Sequence, residues 1–549
     1  MVEGHVPQGV WVRFPPSALQ TCEINSQVFL FSAILTCILI EVAKLVSVAE
    51  MRVIEQAADA SGLSYAQMME NAGRSLANAI RAHSHKPDSV IGLVGPGNNG
   101  GDTLVALRIL AKDGWKATAL IVGKRTKKEK LLAQAVKAGV SLVLSAKSLK
   151  KLLSKSSVVL DGLLGTGMQL PLRQPYAEIL AQVKDLLAQR TGLAWVVAVD
   201  CPSGMDCDSG ELAPETLKAD LTLTMAGVKR GMLTLPAFEY LGTLEVGDIG
   251  LAENLGEWAA VQRLVIDEDL ARAALPVRPL DAYKGTFGTA LIVAGSQRFP
   301  GAALLAGEAA YRSGAGLVTI AAPESMQPGL AGHLREATWL PLPEEVGWIA
   351  ESAADQVSEN LEGITAILLG PGFGQAATTA LFLDKLLAAK LPPLVVDADG
   401  LKLLARLPGW HTRLPADTVL TPHPGEMAIL TGLPAEKIQD GRIEIAEQYA
   451  QKWNHVIALK GAFTTVASPD GRSATLPLAT PALARAGTGD VLSGLITGLR
   501  AQGVSGFEAA CAGVWLHGQA GLRAAERLGG TAGLLAGDLI SELPALIGH

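Results

Sequence analysis

Short apolar runs recur along the chain, each closed within a few residues by glycine, proline or a carboxylate and most of them separated by stretches of helical spacing. One series comprises residues 90–94 (VIGLV), 117–122, 157–160, 195–199 and 221–225, preceded by helical patterns over 51–60 and 66–83. A second comprises 289–294, 317–322, 366–369, 394–396, 418–420 and 455–459. Runs of this length bounded by turn formers read as strands buried on both faces. Strands alternating with helices predict a mostly parallel sheet covered on both sides. The fold class is therefore α/β. The Pro-punctuated stretch 275–280 (LPVRPL) separates the two series, and 549 residues exceed what one hydrophobic core normally serves. Two domains are expected, residues 48–262 and 263–549, behind an extension 1–47 that carries no motif.

Composition narrows the function classes. With 59 glycines and only 5% aromatic residues, the chain suits layered α/β packing and is too apolar for disorder. A net charge of −7 does not favour nucleic acid or an anionic membrane. The basic run 124–130 (KRTKKEK) reads as a solvated loop and helix start. Cys22, Cys37, Cys201, Cys207 and Cys511 form no C-x-x-C pair and have no histidine cluster beside them, so neither zinc nor a disulfide framework is indicated. The apolar segment 28–40 falls short of the ~20 residues that span a bilayer. It also lacks the basic flank and small-residue exit of a signal peptide. A cytoplasmic protein is expected, with a homo-oligomer as the expected assembly.

In open α/β sheets ligands bind beyond the carboxyl ends of the strands. Three such ends in the first half carry unusual residues: Gly95-Pro-Gly-Asn-Asn-Gly-Gly-Asp102, Asp161 with Gly162-Leu-Leu-Gly165-Thr-Gly167, and Asp200-Cys-Pro-Ser203-Gly204. Gly95, Gly97 and Gly100 match G-x-G-x-x-G, a weak signal alone, and a helix is expected to begin near Asp102. A lone Asp after a strand usually caps a turn. Asn99, Asp161 and Ser203 together offer amide, carboxylate and hydroxyl oxygens, hard donors suited to an alkali or alkaline-earth cation. The glycine turns bring backbone N–H groups within reach of a pyrophosphate.

In order and spacing these motifs resemble the YjeF N-terminal family of NAD(P)H-hydrate epimerases over residues 48–260. The resemblance implies a Rossmann-like three-layer fold, a potassium ion, and a substrate that is NADH or NADPH carrying water across its nicotinamide ring. Position by position it implies potassium ligands at Asn99, Asp161 and Ser203. It implies substrate contacts at Asn98, Asn99, Gly100, Gly101 and Asp102, and at Gly165, Thr166, Gly167, Met168, Gln169, Leu170 and Pro171, with Asp200 as the catalytic carboxylate. Thr103 stands where the family usually has glycine. Cys201 replaces an aliphatic residue and reads as a lining thiol.

The second half has no G-x-x-x-x-G-K-[ST] loop, which excludes a P-loop enzyme. Ala486-Gly-Thr-Gly-Asp490 instead opens an apolar helical stretch, where free N–H groups and the macrodipole favour an anion. Asp490 falls in the first turn, placed to take a proton from a hydroxyl near that anion; the plain alternative is a helix-stabilising Asp. Gly370-Pro-Gly372-Phe-Gly374, Thr421-Pro-His423-Pro-Gly-Glu426 and Lys460-Gly-Ala-Phe-Thr464 each follow a strand, with Pro424 apt for a first helical position. Lys284-Gly-Thr-Phe-Gly288 precedes one.

This set resembles the YjeF C-terminal family of ADP- or ATP-dependent NAD(P)H-hydrate dehydratases, ribokinase-like in fold, over residues 263–549. The resemblance implies nucleotide contacts at Lys460, Gly461, Ala462, Phe463 and Thr464 and at Gly487, Thr488 and Gly489. Ala303, Gly372 or Gly374, His423 and Asp490 would contact the hydrated cofactor. Asp490 would be the catalytic base, ADP the co-substrate and Mg²⁺ the expected ion. Tyr283 stands where histidine commonly precedes the lysine. Two other readings stay open: a small-alcohol kinase with a regulatory first half, and a non-enzymatic interaction module.

Overall fold

The computed structural model describes residues 12–13, 43–83, 88–125, 129–190 and 194–548. The segment 28–40, Cys22, Cys37, and residues 126–128 of the basic run lie outside them. The described residues divide into two compact units, one up to Val261 and one from Gln262 onward.

The first unit is built on a parallel sheet. Its strand order is Val12–Arg13, Thr243–Gly247, Leu221–Met225, Trp195–Val199, Val158–Gly162, Ser89–Val94, Lys116–Ile121, Ser141–Val143. Side chains alternate between the faces, as strand geometry requires. Val90 and Val94 face the helices Val48–Ala60, Tyr65–His83 and Asn98–Lys112. Ile91 and Leu93 face Leu149–Leu153 and Tyr176–Ala188. Chain direction across the sheet reverses between Ser89–Val94 and Val158–Gly162. That switch point is where the loops part and leave a crevice.

Two expectations are corrected here. Regular structure begins before residue 48: Leu45–Val46 pairs in parallel with Val228–Lys229, both residues are buried, and Lys44 Nζ donates to the Trp258 carbonyl at 2.5 Å. Ser47 then caps Val48–Ala60 in a reciprocal box with Glu50. Residues 43–47 belong to the fold because they supply both a strand and a cap. The helix expected near Asp102 starts at Asn98, behind the cap residue Gly97, so the N-N-G-G-D segment lies inside the helix and not in a preceding loop.

The main sheet of the second unit has ten strands in the order Arg263–Val265, Ser473–Thr475, Thr465–Ala467, Val456–Leu459, Val419–Leu420, Leu394–Val396, Ala366–Leu369, Thr289–Val293, Leu317–Pro323, Thr338–Leu342. All pairs are parallel except those that Thr465–Ala467 makes with its two neighbours. Ala290 and Ile292 face Gly301–Arg312, Thr488–Ala501, Gly506–Leu528 and Ala536–Ile547. Leu291 and Val293 face Ala353–Glu359, Ala377–Leu386 and Arg442–Trp453. Among the described residues no helix is long and apolar enough to cross a membrane, and Cys201, Cys207 and Cys511 are free and buried.

Candidate active sites

At the switch point of the first sheet lies a cleft of about 420 Å³, lined by the Pro96–Asn99 turn, Asp102, Leu163–Met168 and Asp200. Asp161, at the end of its strand, is fully enclosed. Its Oδ1 accepts from Ser203 Oγ at 2.6 Å and its Oδ2 from Ser203 N at 2.8 Å. Burial pushes this carboxyl above its ordinary range, against the pull of those two hydrogen bonds. Leu164 N donates to Ser203 Oγ, and Asn99 Nδ2 donates to the Leu164 carbonyl at 2.7 Å. That leaves Asn99 Oδ1 buried with no hydrogen-bond partner. Asn99, Asp161 and Ser203 are thus joined through Leu164, with a spare buried oxygen and a desolvated carboxylate. Such a set fits a hard monovalent cation.

Asp200 adopts a left-handed backbone (φ 64°). Its Oδ1 accepts from Lys229 Nζ at 2.5 Å and from Met225 N at 2.9 Å. Lys229 is 1% exposed and also donates to Thr224 Oγ1 and the Met225 carbonyl, so a fully satisfied buried ammonium fixes this carboxylate. Sequence reading passed over Lys229, which sits outside every glycine motif. Thr103 fits where the family has glycine because its neighbours make room. A β-carbon at Gly92 would lie 2.7 Å from Thr103 Cγ2, and one at Gly162 would lie 1.8 Å from Thr103 Oγ1. A hydrogen bond with Cys207, then burial, drive the Cys201 thiol well above its ordinary value; it is buried and is not among the residues that line the cleft, so it is an inert core thiol and not the lining one expected. Arg125 departs from the solvated reading of the basic run: it is buried and donates through Nη1 to the Gly95 carbonyl. Gln169, Leu170 and Pro171 continue the Leu163–Met168 loop beyond the residues that line the cleft.

In the second unit the parallel helices Gly301–Arg312 and Thr488–Ala501 lie in backbone contact. A β-carbon at Gly494 would meet the Ala306 carbonyl at 2.3 Å, and one at Gly498 would meet the Ala310 carbonyl at 2.5 Å. These pairings ascend together, so both N-termini open at the same end. Ala303, whose methyl is wholly buried, brings a first-turn N–H beside the turn of Gly487, Thr488, Gly489 and Asp490. First-turn N–H groups lack intrahelical acceptors, and two such ends together make an anion site.

Facing this turn are residues from the ends of four neighbouring strands. Lys460 Nζ donates to Asp397 Oδ1 at 2.5 Å and lies 3.9 Å from Glu426 Oε2. A β-carbon at Gly489 would lie 3.5 Å from that ammonium. Burial pulls Lys460 down, but Asp397 and Glu426 hold it above its ordinary value. Asp399 accepts from Gly374 N at 2.9 Å and from Lys402 Nζ at 3.0 Å, tying the Gly372–Gly374 loop to the site. His423 Nδ1 accepts from Gly425 N and Glu426 N as the cap of Pro424–Thr431. Its ring is half exposed even while Nδ1 caps the helix. Thr464 Oγ1 closes the 460–464 loop onto the Gly461 carbonyl. Burial, then Asp397, raise Asp490 to about 7, with Lys460 opposing.

Asp397, Asp399 and Lys402 were missed from the sequence. The same Asp-after-strand signal that singled out Asp161 and Asp200 was present in Asp397-Ala-Asp399. Asp397, Asp399, Glu426 and Asp490 outnumber Lys402 and Lys460, an acidic excess that suits a divalent cation. No cluster of three acidic, His or Cys ligands is preassembled among the described residues, as expected for an ion held largely by water and phosphate.

Fold and sites together define a two-unit α/β protein in which each half gathers charged and polar side chains at the carboxyl edge of a sheet, around a cleft of about 420 Å³ in the first. Residues 65–231 match the model of the YjeF-related protein N-terminus, and residues 290–545 match that of NAD(P)H-hydrate dehydratase. The bifunctional NAD(P)H-hydrate repair enzyme Nnr of Coxiella burnetii is 36% identical, covering 91% of this chain and 98% of its own. Its counterpart in Escherichia coli is 34% identical, covering 90% and 91%. A Bacillus subtilis ADP/ATP-dependent NAD(P)H-hydrate dehydratase, co-crystallised with ATP/Mg²⁺, is 37% identical over 51% of this chain and 96% of its own, with a TM-score of 0.45. The chain belongs to the family of bifunctional NAD(P)H-hydrate repair enzymes, with a Rossmann-like first unit and a ribokinase-like second. The small-alcohol kinase reading is accordingly set aside.

Proposed function

We propose that the first unit interconverts the R and S forms of hydrated NADH and NADPH, and that the second dehydrates the S form at the expense of ADP, releasing AMP and phosphate. The observation that carries this reading is the pairing of a buried oxygen cluster beside Asp200 in one unit with a raised-pKa Asp490 between two helix N-termini in the other. In the first site Asn99, Asp161 and Ser203 would hold a potassium ion, whose charge helps to seat an anionic substrate. The turns Asn98–Asp102 and Gly165–Pro171 bind the substrate, and Asp200 meets its ring.

In the second site Asp490 takes the proton of the ring hydroxyl as that oxygen attacks the terminal phosphorus of ADP. The phosphorus–oxygen bond to AMP breaks. Phosphate then leaves carbon with its electron pair, a proton leaves the adjacent carbon, and the ring double bond is restored. Hydroxide is a poor leaving group and phosphate a good one, which accounts for the nucleotide. Lys460–Thr464 and Gly487–Gly489 hold the nucleotide, and Ala303, Gly372, Gly374 and His423 hold the hydrate. Mg²⁺, when bound near the acidic excess, would neutralise charge on the phosphates. A cytoplasmic location and a homo-oligomeric assembly accompany this proposal. The test is to supply mixed R and S hydrate of NADH with ADP or ATP and follow return of NADH absorbance. Complete recovery supports both activities, recovery stopping at the S fraction removes the first, and no recovery removes the second.

A further inference from the structure

We infer that Glu55 is the proton-donating partner of Asp200 in the first site, so that epimerisation runs on a pair of carboxyl groups. The inference rests on the epimerase reading above. Hydration of an enamine puts the hydroxyl on the carbon beside the ring nitrogen, because the nitrogen lone pair stabilises positive charge there. Inverting that carbon requires its C–O bond to break and re-form on the opposite face. An acid protonates the hydroxyl, the bond breaks, water leaves, and the nitrogen lone pair becomes the second bond of a C=N⁺ unit. Water then adds from the other side, the pair returns to nitrogen, and a base accepts the surplus proton. Water lost and water gained balance, and no electrons leave the substrate. One acid and one base must therefore face the same cleft.

The cleft offers a small choice. Glu55, Asp102 and Asp200 line it together with Arg52 and Tyr65. Asp200 accepts from the buried Lys229 ammonium at 2.5 Å and is assigned the role of base. Asp102, the fifth residue of Asn98–Lys112, has the Arg125 guanidinium beside it. Glu55 is on another element, Val48–Ala60. Burial, then the charge of Asp200, push Glu55 above its ordinary value, while Lys229 and Arg52 pull the other way. Tyr65 at the rim is raised by burial and by Glu55 and Asp59, so it stays a phenol. Glu55 is the group in this set poised to carry a proton. After one inversion Glu55 is a carboxylate and Asp200 an acid. The reverse inversion, or relay through cleft water, restores the pair.

Glu55→Gln preserves size and hydrogen bonding but cannot deliver the proton. Epimerisation of R to S hydrate, measured by separating the two forms over time, should lose about 10²-fold in kcat with KM nearly unchanged. Dehydration of pure S hydrate should be unaltered. The intact enzyme should lose epimerisation as pH rises through a limb belonging to Glu55, flanked by Arg52, Tyr65, Asp102, Asp200 and Lys229. Glu55→Asp should keep that limb at reduced kcat, whereas Glu55→Gln should lack it. A Glu55→Gln enzyme with full kcat, or an unchanged alkaline limb, overturns the assignment while leaving the epimerase reading intact. Absence of epimerisation in the unaltered chain, with dehydration present, overturns the reading and the assignment together.

Discussion

A carboxylate in the first turn of a helix ordinarily titrates low, because the macrodipole stabilises its charge. Asp490 does the opposite. Enclosure removes water, Asp397 adds a like charge, and its carboxyl rises to about 7 with Lys460 only partly compensating. A general base must be deprotonated, so dehydration should gain rate as pH rises through an acidic limb near 7 in kcat/KM. Replacing Asp397 by Asn removes the like charge and frees Lys460 from its 2.5 Å partner. Both changes favour the Asp490 anion, so the limb should move to lower pH by about one unit. Asp490→Asn should lower dehydration by ~10²–10⁴-fold while nucleotide affinity changes little. Paired pH profiles and nucleotide titrations check these outcomes. Near-normal dehydration in Asp490→Asn would reduce Asp490 to a helix-stabilising residue.

At the scale of elements, the N-terminal edge of the first unit yields a stability prediction. Leu45 and Val46 are buried in a strand against Val228–Lys229, and Ser47 caps the helix that follows. Losing the cap alone costs about 1 kcal/mol, and losing the buried apolar side chains of Leu45 and Val46 costs ~1.5–3 kcal/mol each. A protein begun at Val48 should therefore melt at lower temperature than one begun at Ala43, with the loss confined to the first unit's transition. Equal melting of the two would show that the strand and cap are dispensable. The same region shows what a sequence reveals. Five-residue runs such as Trp195–Val199, wholly apolar, and Leu221–Met225, apolar with β-branched threonines between, were legible because parallel strands are buried on both faces. Leu45–Val46 was not: two residues carry no period, and only their distant partner Val228–Lys229 makes them a strand. The hairpin Thr465–Ala467 to Ser473–Thr475 was legible in principle through Pro469-Asp470-Gly471, a turn sequence. Its strands were too short to declare themselves. In the sites, residues inside glycine motifs could be read directly. Asp397 carried the same Asp-after-strand signal as Asp161, but Lys229 and Glu55 could not be read, since each matters through a partner brought near by folding.

The whole molecule joins two chemistries whose sites draw on separate stretches of chain. Asn99, Asp161, Asp200 and Ser203 lie in the unit ending at Val261, and the residues around Asp490 named above lie in the unit from Gln262 onward. Asp161→Asn should therefore remove the potassium response of epimerisation, because it neutralises the one carboxylate among the oxygens of Asn99, Asp161 and Ser203. Dehydration of S hydrate should be untouched. Asp490→Asn should do the converse. If hydrate passes between the sites through solution, mixing the two single-mutant proteins should restore complete recovery of NADH from mixed hydrates, at a rate set by the slower functional site. Potassium should accelerate the R-derived part of that recovery and leave the S-derived part alone. A mixture that stalls at the S fraction, although each mutant keeps its remaining activity, would mean that R hydrate must be handed on within one chain. Loss of both activities in either single mutant would show instead that the two units are energetically coupled.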